Sequence, residues 1–436
     1  MLNILYLYDS TQTYTSTVYE HIGCFAKHSR HRSFFCNHYP TKEFDVALSR
    51  FDAIAIHYSI RLAFNALSPS AAKAIAEFNG LKVLFIQDEY DHTHRAWHWI
   101  KALGIQLVFT VVPQRAIEQV YPSREFPGTR FVSTLTGYVP DELTLNRDAT
   151  APSQRSLIVG YRGRPLPIRY GKLGVEKAEI GKIVKTYCDA NGISNDIAWS
   201  EKSRIYGPRW YEFMGSCRSM LGSESGSNVF DWDGTLVERI DQFRMSNPGT
   251  DDGEVYEKFV RAQEIDGIMN QVSPRVFEAI ASRTVLVLFE GDYSGVVKAG
   301  QHFIPVKKDG SNLAEVVRLL QDGAYVDAMV GRAYQDVIAT GMYSYQSFVR
   351  LVDEEIEISH RLLERHNNQK APERPDSAHI DQPTPITIIP IRGKAPQFLE
   401  SQDFVRRLIF CCWRKLPGSF RISVKKRLKS LLLGES

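Results

Sequence analysis

The chain has 436 residues, 43% of them apolar, and a formal net charge of +3. That size and composition suit a soluble globular protein of two domains plus additional segments, and so small a charge gives no case for nucleic acid as a partner. Six cysteines without metal-ligand spacing, an amino terminus lacking a signal-peptide pattern and the absence of any apolar run of membrane-spanning length point to a reduced, cytoplasmic protein.

Residues 2–8 read as a buried first strand, followed by a polar loop at 9–15 and a helix carrying Val18, Ile22 and Phe25 on one face. The loop has no glycine, so a phosphate held there would depend on hydroxyl groups. Residues 51–57, FDAIAIH, form a second strand ending in His57. The carboxyl end of a parallel strand is where ligands gather, which makes His57 a candidate catalytic residue; the alternative is a half-buried histidine satisfied by a loop carbonyl. A third strand at 82–86 runs directly into QDEYDHTHR. Acids and histidines this dense at a strand end make Asp88, Glu89 and His92 candidates for a base or a hydroxyl-binding group. Asp91, His92 and His94 follow no recognised metal-binding pattern, so no metal is expected. A further strand covers 108–112, and Gly137 suits a turn. The stretch 148–155, rich in Ala, Pro, Ser and Gln, reads as a linker between a first domain at 1–147 and a second at 156–366.

The second domain opens with a strand at 157–159 and a glycine-containing loop that carries Arg162, Arg164, Arg169, Lys172 and Lys177. A diphosphate would need such a loop, because guanidinium and ammonium groups neutralise its charge. Trp210, Phe213 and Met214 share a helical face, and residues 219–222 form a short strand ending in GSESG. Ser273 and Pro274 are suited to start a helix with Val276, Phe277, Ile280 and Ala281 inward. Arg275 then falls in the first turn, where the helix dipole disfavours a cation unless an anion sits beside it. A strand at 284–289, a turn-rich loop at 290–295 and a second helix, with Asn312 and Glu315 spaced as a capping box, complete a strand–loop–strand–helix order. Two sequences compete for a different reading. DWDGTL at 231–236 matches the first motif of haloacid-dehalogenase-type phosphatases, with Asp231 as nucleophile and Asp233 as general acid. The last 36 residues hold nine Lys or Arg against two acids among Leu, Ile, Phe and Trp413, a pattern that suits an anionic membrane surface over 404–433 or a helix packed on the body.

FEAIASRTVLVLFE and GQHFIPVKKDGSNLAEVV resemble the nucleotide-sugar-binding end of the GT-B glycosyltransferases. QDEYD resembles a motif of the group related to spore-maturation and polysaccharide-cluster enzymes, and residues 343–359 resemble the closing helices that cross back to the first domain. The resemblance covers residues 1–360. It implies an α/β fold of two facing Rossmann-like domains, followed by a linker and the basic amphipathic tail. It also implies transfer of a hexose from a nucleoside-diphosphate sugar, with no other cofactor, to a glycan or lipid-linked acceptor in bacterial surface polysaccharide or glycoconjugate synthesis, on the inner face of the membrane. By the same resemblance Arg164 and Lys172, with Arg162 next, hold the diphosphate together with Ser273 and Arg275 at the helix start. Glu278 meets the sugar or ribose, and His57, Asp88 or Glu89 stands near the acceptor hydroxyl. Glu224 of GSESG, or the position of Asn270 eight residues before Glu278, pairs with Glu278. Arg283 stands where the family commonly has a glycine, which implies a strained local turn. A catalytically silent scaffold of the same fold is the remaining alternative.

Overall fold

The fold is that of a computed structural model, which describes residues 1–11, 16–141 and 150–370. The tail at 404–433, most of the linker before it and the middle of the first loop lie outside the described residues. The first sheet contains β1 (Asn3–Tyr8), β2 (Arg32–Asn37), β3 (Ala53–Ile56), β4 (Leu81–Ile86), β5 (Leu107–Thr110) and β6 (Arg130–Ser133), in the spatial order 2-1-3-4-5-6. The second contains β7 (Leu157–Arg162), β8 (Asn195–Ala198), β9 (Cys217–Gly222), β10 (Val285–Phe289) and β11 (Phe303–Val306), in the order 11-10-9-7-8. Every pairing within both sheets is parallel.

Parallel strands covered on both faces require nearly unbroken apolar runs, and AIAI in β3 and VLVLF in β10 supply them, each fully buried. In both sheets the strand order reverses near the start. The chain goes from β1 to β2 on one side and continues at β3 on the other, as it goes from β7 to β8 and then to β9. Crevices at such reversals lie at the carboxyl ends of the strands. The loops after β1, β3, β7 and β9 are therefore the ones a ligand meets.

Helix Tyr345–Lys370 returns to the first sheet, as the resemblance implies. Phe348 stacks on Tyr138 at 4.4 Å and packs against His21 at 4.9 Å. Asp353 accepts from the Ser29 hydroxyl, and Arg130 of β6 pairs with Glu355 at 2.6 Å. Among the described residues no helix is long and apolar enough to cross a membrane.

Between β9 and helix Pro274–Ala281 the chain makes a long excursion that joins the two sheets. Val229, Leu236, Ile240, Val255 and Val260 form a small core of its own, whereas Phe230, Ile268 and Met269 are buried in the core of the first sheet. The Asp231 amide donates to the Tyr90 carbonyl at 2.8 Å, and the His94 amide to the Trp232 carbonyl at 2.8 Å. This explains the DWDGTL motif. Asp231 does not end a strand of either sheet; its carboxylate accepts from the Leu236 amide and that of Asp233 from the Thr235 amide, so both acids cap helix Thr235–Ser246. The phosphatase geometry is absent.

Three local expectations are corrected. β7 extends to Arg162, which therefore belongs to a strand rather than to the loop. Ser273 occupies the N-cap position but its side chain makes no capping bond. Asn312 does not form a capping box: its side chain takes the Lys307 amide and donates to the Pro305 carbonyl, while Glu315 pairs with Arg318. The strained turn at Arg283 is present. Its φ is +54°, in the left-handed region, and its guanidinium lies over the Tyr334 ring at 3.3 Å.

Candidate active site

The carboxyl edges of the two sheets meet across a cleft of about 270 Å³. The first sheet contributes Tyr58 after β3, Asp88 and Tyr90 after β4 and Val111 after β5; the second contributes Lys177 and Ser225, with Gln271 and Pro274 at the start of helix Pro274–Ala281. Gly226, just after β9, has a φ of +108°, and a Cβ there would lie 1.8 Å from the Met269 carbonyl oxygen. Only glycine allows the two strands of the excursion to pass this closely beside the cleft.

Positive charge gathers on the second sheet's wall. Lys177 projects from helix Gly171–Ala190, within the electrostatic reach of Arg275 and Arg164 on its own side and of Asp88 across the gap. Burial, then Arg275, lowers the Lys177 pKa to about 8, and Arg164 adds to the effect. Among the described residues no carboxylate lies within 4.0 Å of the charged nitrogens of Arg164, Lys177 or Arg275, although Glu278 acts on Arg275 and Asp88 on Lys177 from further away. Arg275 rests over Trp210 at 5.2 Å and Tyr161 at 5.4 Å. Glu278 lies within reach of Arg275 and Asp88 within reach of Lys177, and three cations against these two carboxyls leave the wall suited to a polyanion.

The other expected donor-side residues are placed differently. Arg162 is fully engaged: it bonds Asp196 at 2.8 Å, bonds the Ser203 and Tyr161 carbonyls and lies over Phe213 at 4.3 Å. It anchors β7 to β8. The Lys172 ammonium is 69% exposed and 3.9 Å from Glu264, whose carboxylate also accepts the Lys172 amide at 2.5 Å. Glu278 accepts from the Trp210 indole at 2.8 Å, and burial raises its pKa. Glu224 and Asn270, the two alternatives for a partner of Glu278, bond each other instead, at 2.6 Å. Glu224 is completed by the Tyr293 amide at 2.9 Å.

On the opposite wall Asp88 faces the cleft. It is 55% exposed, its φ is +57°, and it accepts from the Tyr90 hydroxyl at 2.7 Å, with Arg61 3.9 Å away. A carboxylate so placed can accept a proton from a hydroxyl in the gap. His57 and Glu89 do not reach the cleft surface. The Ser59 amide donates to His57 Nδ1 at 3.1 Å, which leaves the proton on Nε2, and Nε2 donates to His21 Nδ1 at 3.0 Å. Burial holds the His57 pKa well below its ordinary value. This neutral, doubly bonded ring packs against Tyr58, tilted to it with centroids 4.1 Å apart, rather than taking a proton.

Glu89 lies beneath the edge of the sheet, accepting from the Thr110 hydroxyl and from the Val111 amide at 3.2 Å. Burial raises its pKa to about 8, so at neutral pH it carries a proton. The folded form binds a proton that the unfolded chain releases near its ordinary carboxyl value. Its contribution to stability is therefore complete below about pH 4.5 and is lost as pH rises through about 8. Glu89→Gln is expected to flatten the fall in urea midpoint across this window, compared with the wild-type profile. Identical slopes for the two proteins would show that the carboxyl is ionised at neutral pH.

Tyr58 and Gln271 were given no role by the sequence reading, and Lys177 was named among the loop cations without being singled out. A signal for Lys177 existed. It sits three residues after Gly174 and next to Ala178, on the buried side of its helix, whereas Lys172 does not share that face.

Two parallel α/β sheets facing across a cleft, tied by a closing helix, constitute the GT-B arrangement. No family model matches the sequence, and no curated protein is similar to it. Among solved structures, the fold is similar to an α-glucosyltransferase in complex with UDP and a 13-mer DNA, at 10% identity over 81% of this chain and 99% of that one, with a TM-score of 0.49. It is also similar to AviGT4, a glycosyltransferase involved in avilamycin A biosynthesis, at 12% identity over 84% and 99% with a TM-score of 0.41. TarM is similar at 11% identity over 70% of this chain, with a TM-score of 0.40; the chain spans only 54% of TarM. Identities this low assign no role to any residue here.

Proposed function

We propose that this protein transfers a sugar, a hexose in the simplest case, from a nucleoside-diphosphate donor to a hydroxyl acceptor. The observation that carries the reading is Lys177 on one wall of the cleft, with Arg275 and Arg164 within its electrostatic reach and Asp88 opposite. The cations would take the diphosphate, and their effect would grow as the leaving group gains charge. Three cations neutralise a diphosphate without a divalent metal. Asp88 would accept the acceptor's proton. Glu278, with Trp210, borders the place where the ribose would lie, and Ser273 begins the helix whose amides would meet the phosphates.

The acceptor belongs to the class of hydroxyl-bearing molecules, with a glycan or a lipid-linked glycan as the first choice. A role in surface polysaccharide or glycoconjugate synthesis would follow, with the basic tail at 404–433 holding the enzyme on an anionic membrane face. The similar α-glucosyltransferase structure contains DNA beside UDP, so nucleic acid stays among the acceptors to test. UDP is bound in several of the similar structures and is the first nucleotide to try.

Thermal unfolding with UDP, GDP, UMP and inorganic phosphate tests the reading. At one hundred times its Kd, a diphosphate is expected to stabilise the fold by about 2.7 kcal/mol. The matching monophosphate should do markedly less. If no nucleoside diphosphate exceeds its monophosphate, the pocket is not a diphosphate site, and the silent scaffold becomes the better description.

A further inference from the structure

Gln271 divides the space between the sheets into two chambers. It is 2% exposed; its amide nitrogen donates to the Val111 carbonyl of the first sheet's edge, and its amide oxygen accepts from Ser294 at 2.9 Å. Its backbone is paired with Ser225. On one side lies the cationic cleft. On the other is a second cavity of about 420 Å³, bordered by Ser133, Thr134 and Tyr138 from the first sheet's side and by Asn270, Asp292 and Ser294 from the second's. Gln271 lines both.

The hydrogen bonds around the second chamber point its serine and threonine hydroxyls away from it, while Gln114 and Arg115 border it at the rim. Ser133 donates to the Val112 carbonyl at 2.8 Å, Thr134 to the Thr110 carbonyl at 3.2 Å and Ser294 to Gln271. Asn270 must turn its amide nitrogen to the Glu224 carboxylate, because an amide oxygen there would be repelled. Its oxygen is thereby fixed on the other side, enclosed and without a hydrogen-bond partner. What Ser133, Thr134, Ser294 and Asn270 leave for a ligand is lone pairs. Tyr138, whose oxygen accepts the Leu135 amide at 3.1 Å, has a hydroxyl hydrogen to offer. The one cation on the wall, Arg115, is matched by Asp292 at 3.8 Å, so the chamber has no surplus positive charge.

We infer that this second chamber binds a neutral, hydroxyl-rich ring, which donates hydrogen bonds to Asn270 Oδ1 and its neighbours, and that it rejects ligands bearing a carboxylate. A carboxylate would meet lone pairs and Asp292 with no unmatched cation to receive it, and desolvating it there without a donor is costly. The inference rests on the sugar-transfer reading for the identity of the ring, and on the chamber's own bonding for its neutrality. It separates the work of the two chambers: charge on one side of Gln271, hydroxyl recognition on the other.

Ligand-observed NMR with methyl hexosides and methyl hexuronates tests the chamber without any nucleotide, so its result does not depend on whether the cationic cleft binds a diphosphate. Neutral glycosides should bind wild-type protein at least tenfold more tightly than uronates, and Asn270→Leu should remove that binding. Asp292→Asn, at an exposed position where folding is not at stake, leaves Arg115 unmatched and should improve uronate binding by about threefold relative to the neutral glycoside. Two further titrations distinguish the source of the ring. If Asn270→Leu loses the extra affinity of UDP-glucose over UDP, the chamber holds the donor sugar; if it loses only the binding of a free glycoside in the presence of saturating UDP, it holds the acceptor. Uronates binding as tightly as neutral glycosides to wild-type protein, or neutral binding unchanged in Asn270→Leu, would overturn the inference.

Discussion

Lys177→Met is expected to lower turnover of the nucleotide sugar by about a thousandfold while leaving the urea midpoint of the protein essentially unchanged. Methionine retains the length and most of the apolar stem of lysine, so the helix Gly171–Ala190 keeps its packing and only the charge is removed. The size of the effect follows from position. Lys177 lines the cleft with Arg275 and Arg164 within its electrostatic reach, and its burial and these like charges oppose the ammonium. A diphosphate reverses that balance, and the reversal is greatest when the bond to the sugar breaks and a further negative charge appears. The loss should therefore fall mainly on kcat rather than on the donor KM. Lys177→Arg, which keeps the charge but changes its shape, should recover part of the rate. Lys172→Ala is the internal comparison: its ammonium is 69% exposed and has Glu264 nearby, so turnover should change by less than about threefold. Should Lys177→Met retain a tenth or more of wild-type turnover, the cation group is not where the leaving charge develops.

The contrast between the two lysines also shows where sequence reasoning reaches its limit. A loop rich in Arg and Lys after the first strand of the second sheet is visible in one dimension, but which cation points inward depends on the phase of the helix that begins at Gly171. The same limit separates the strands. β3, β4 and β10 are buried over their whole length and announce themselves as unbroken apolar runs. β2, β6 and β8 are edge strands, each with polar or partly exposed positions, and RSFFCN, RFVS and NDIA carry too little apolar periodicity to be read as strands. Chemistry that repeats between unrelated settings is a further source of ambiguity. Two aspartates one residue apart before a glycine suit a phosphatase nucleophile and general acid, and equally well suit the start of a helix, which is what Asp231 and Asp233 serve here. His57 and Glu89 were correctly expected at strand ends. The depth at which they lie, with their polar atoms turned to His21, Ser59 and Thr110, is a property of the packed sheet and has no local signature.

The excursion between β9 and helix Pro274–Ala281 supplies the second large effect, because in the structure it holds the two sheets in register. Phe230 follows a strand of the second sheet in the chain, yet it is 2% exposed within the core of the first, 5.3 Å from Trp232 and 6.5 Å from Tyr90. Around it the backbone of Asp231 and Trp232 bonds Tyr90 and His94, and Tyr170 of the second sheet's side donates to Asp91 at 3.0 Å, with Arg169 3.5 Å from the same carboxylate. Phe230→Ala should cost about 3–5 kcal/mol, the usual range for removing a buried ring. The cavity would open in the first sheet's core at the point where the second is attached, so the cost should be accompanied by loss of a single cooperative urea transition: fluorescence of Trp97, beside Trp232 at 6.2 Å, should change before the far-ultraviolet circular dichroism does. Phe243→Ala, in the excursion's own small core and 5.2 Å from Phe259, removes the same ring from a half-buried position and should cost about 1–2 kcal/mol with the transitions still coincident. A Phe230 variant that unfolds in one transition within about 1 kcal/mol of wild type would mean that the sheets are held by the closing helix alone. With the clasp released, Asp88 and Lys177 would lose their fixed separation, so the same substitution should also weaken turnover at denaturant concentrations where both sheets are still folded, since reaction across the gap depends on that spacing.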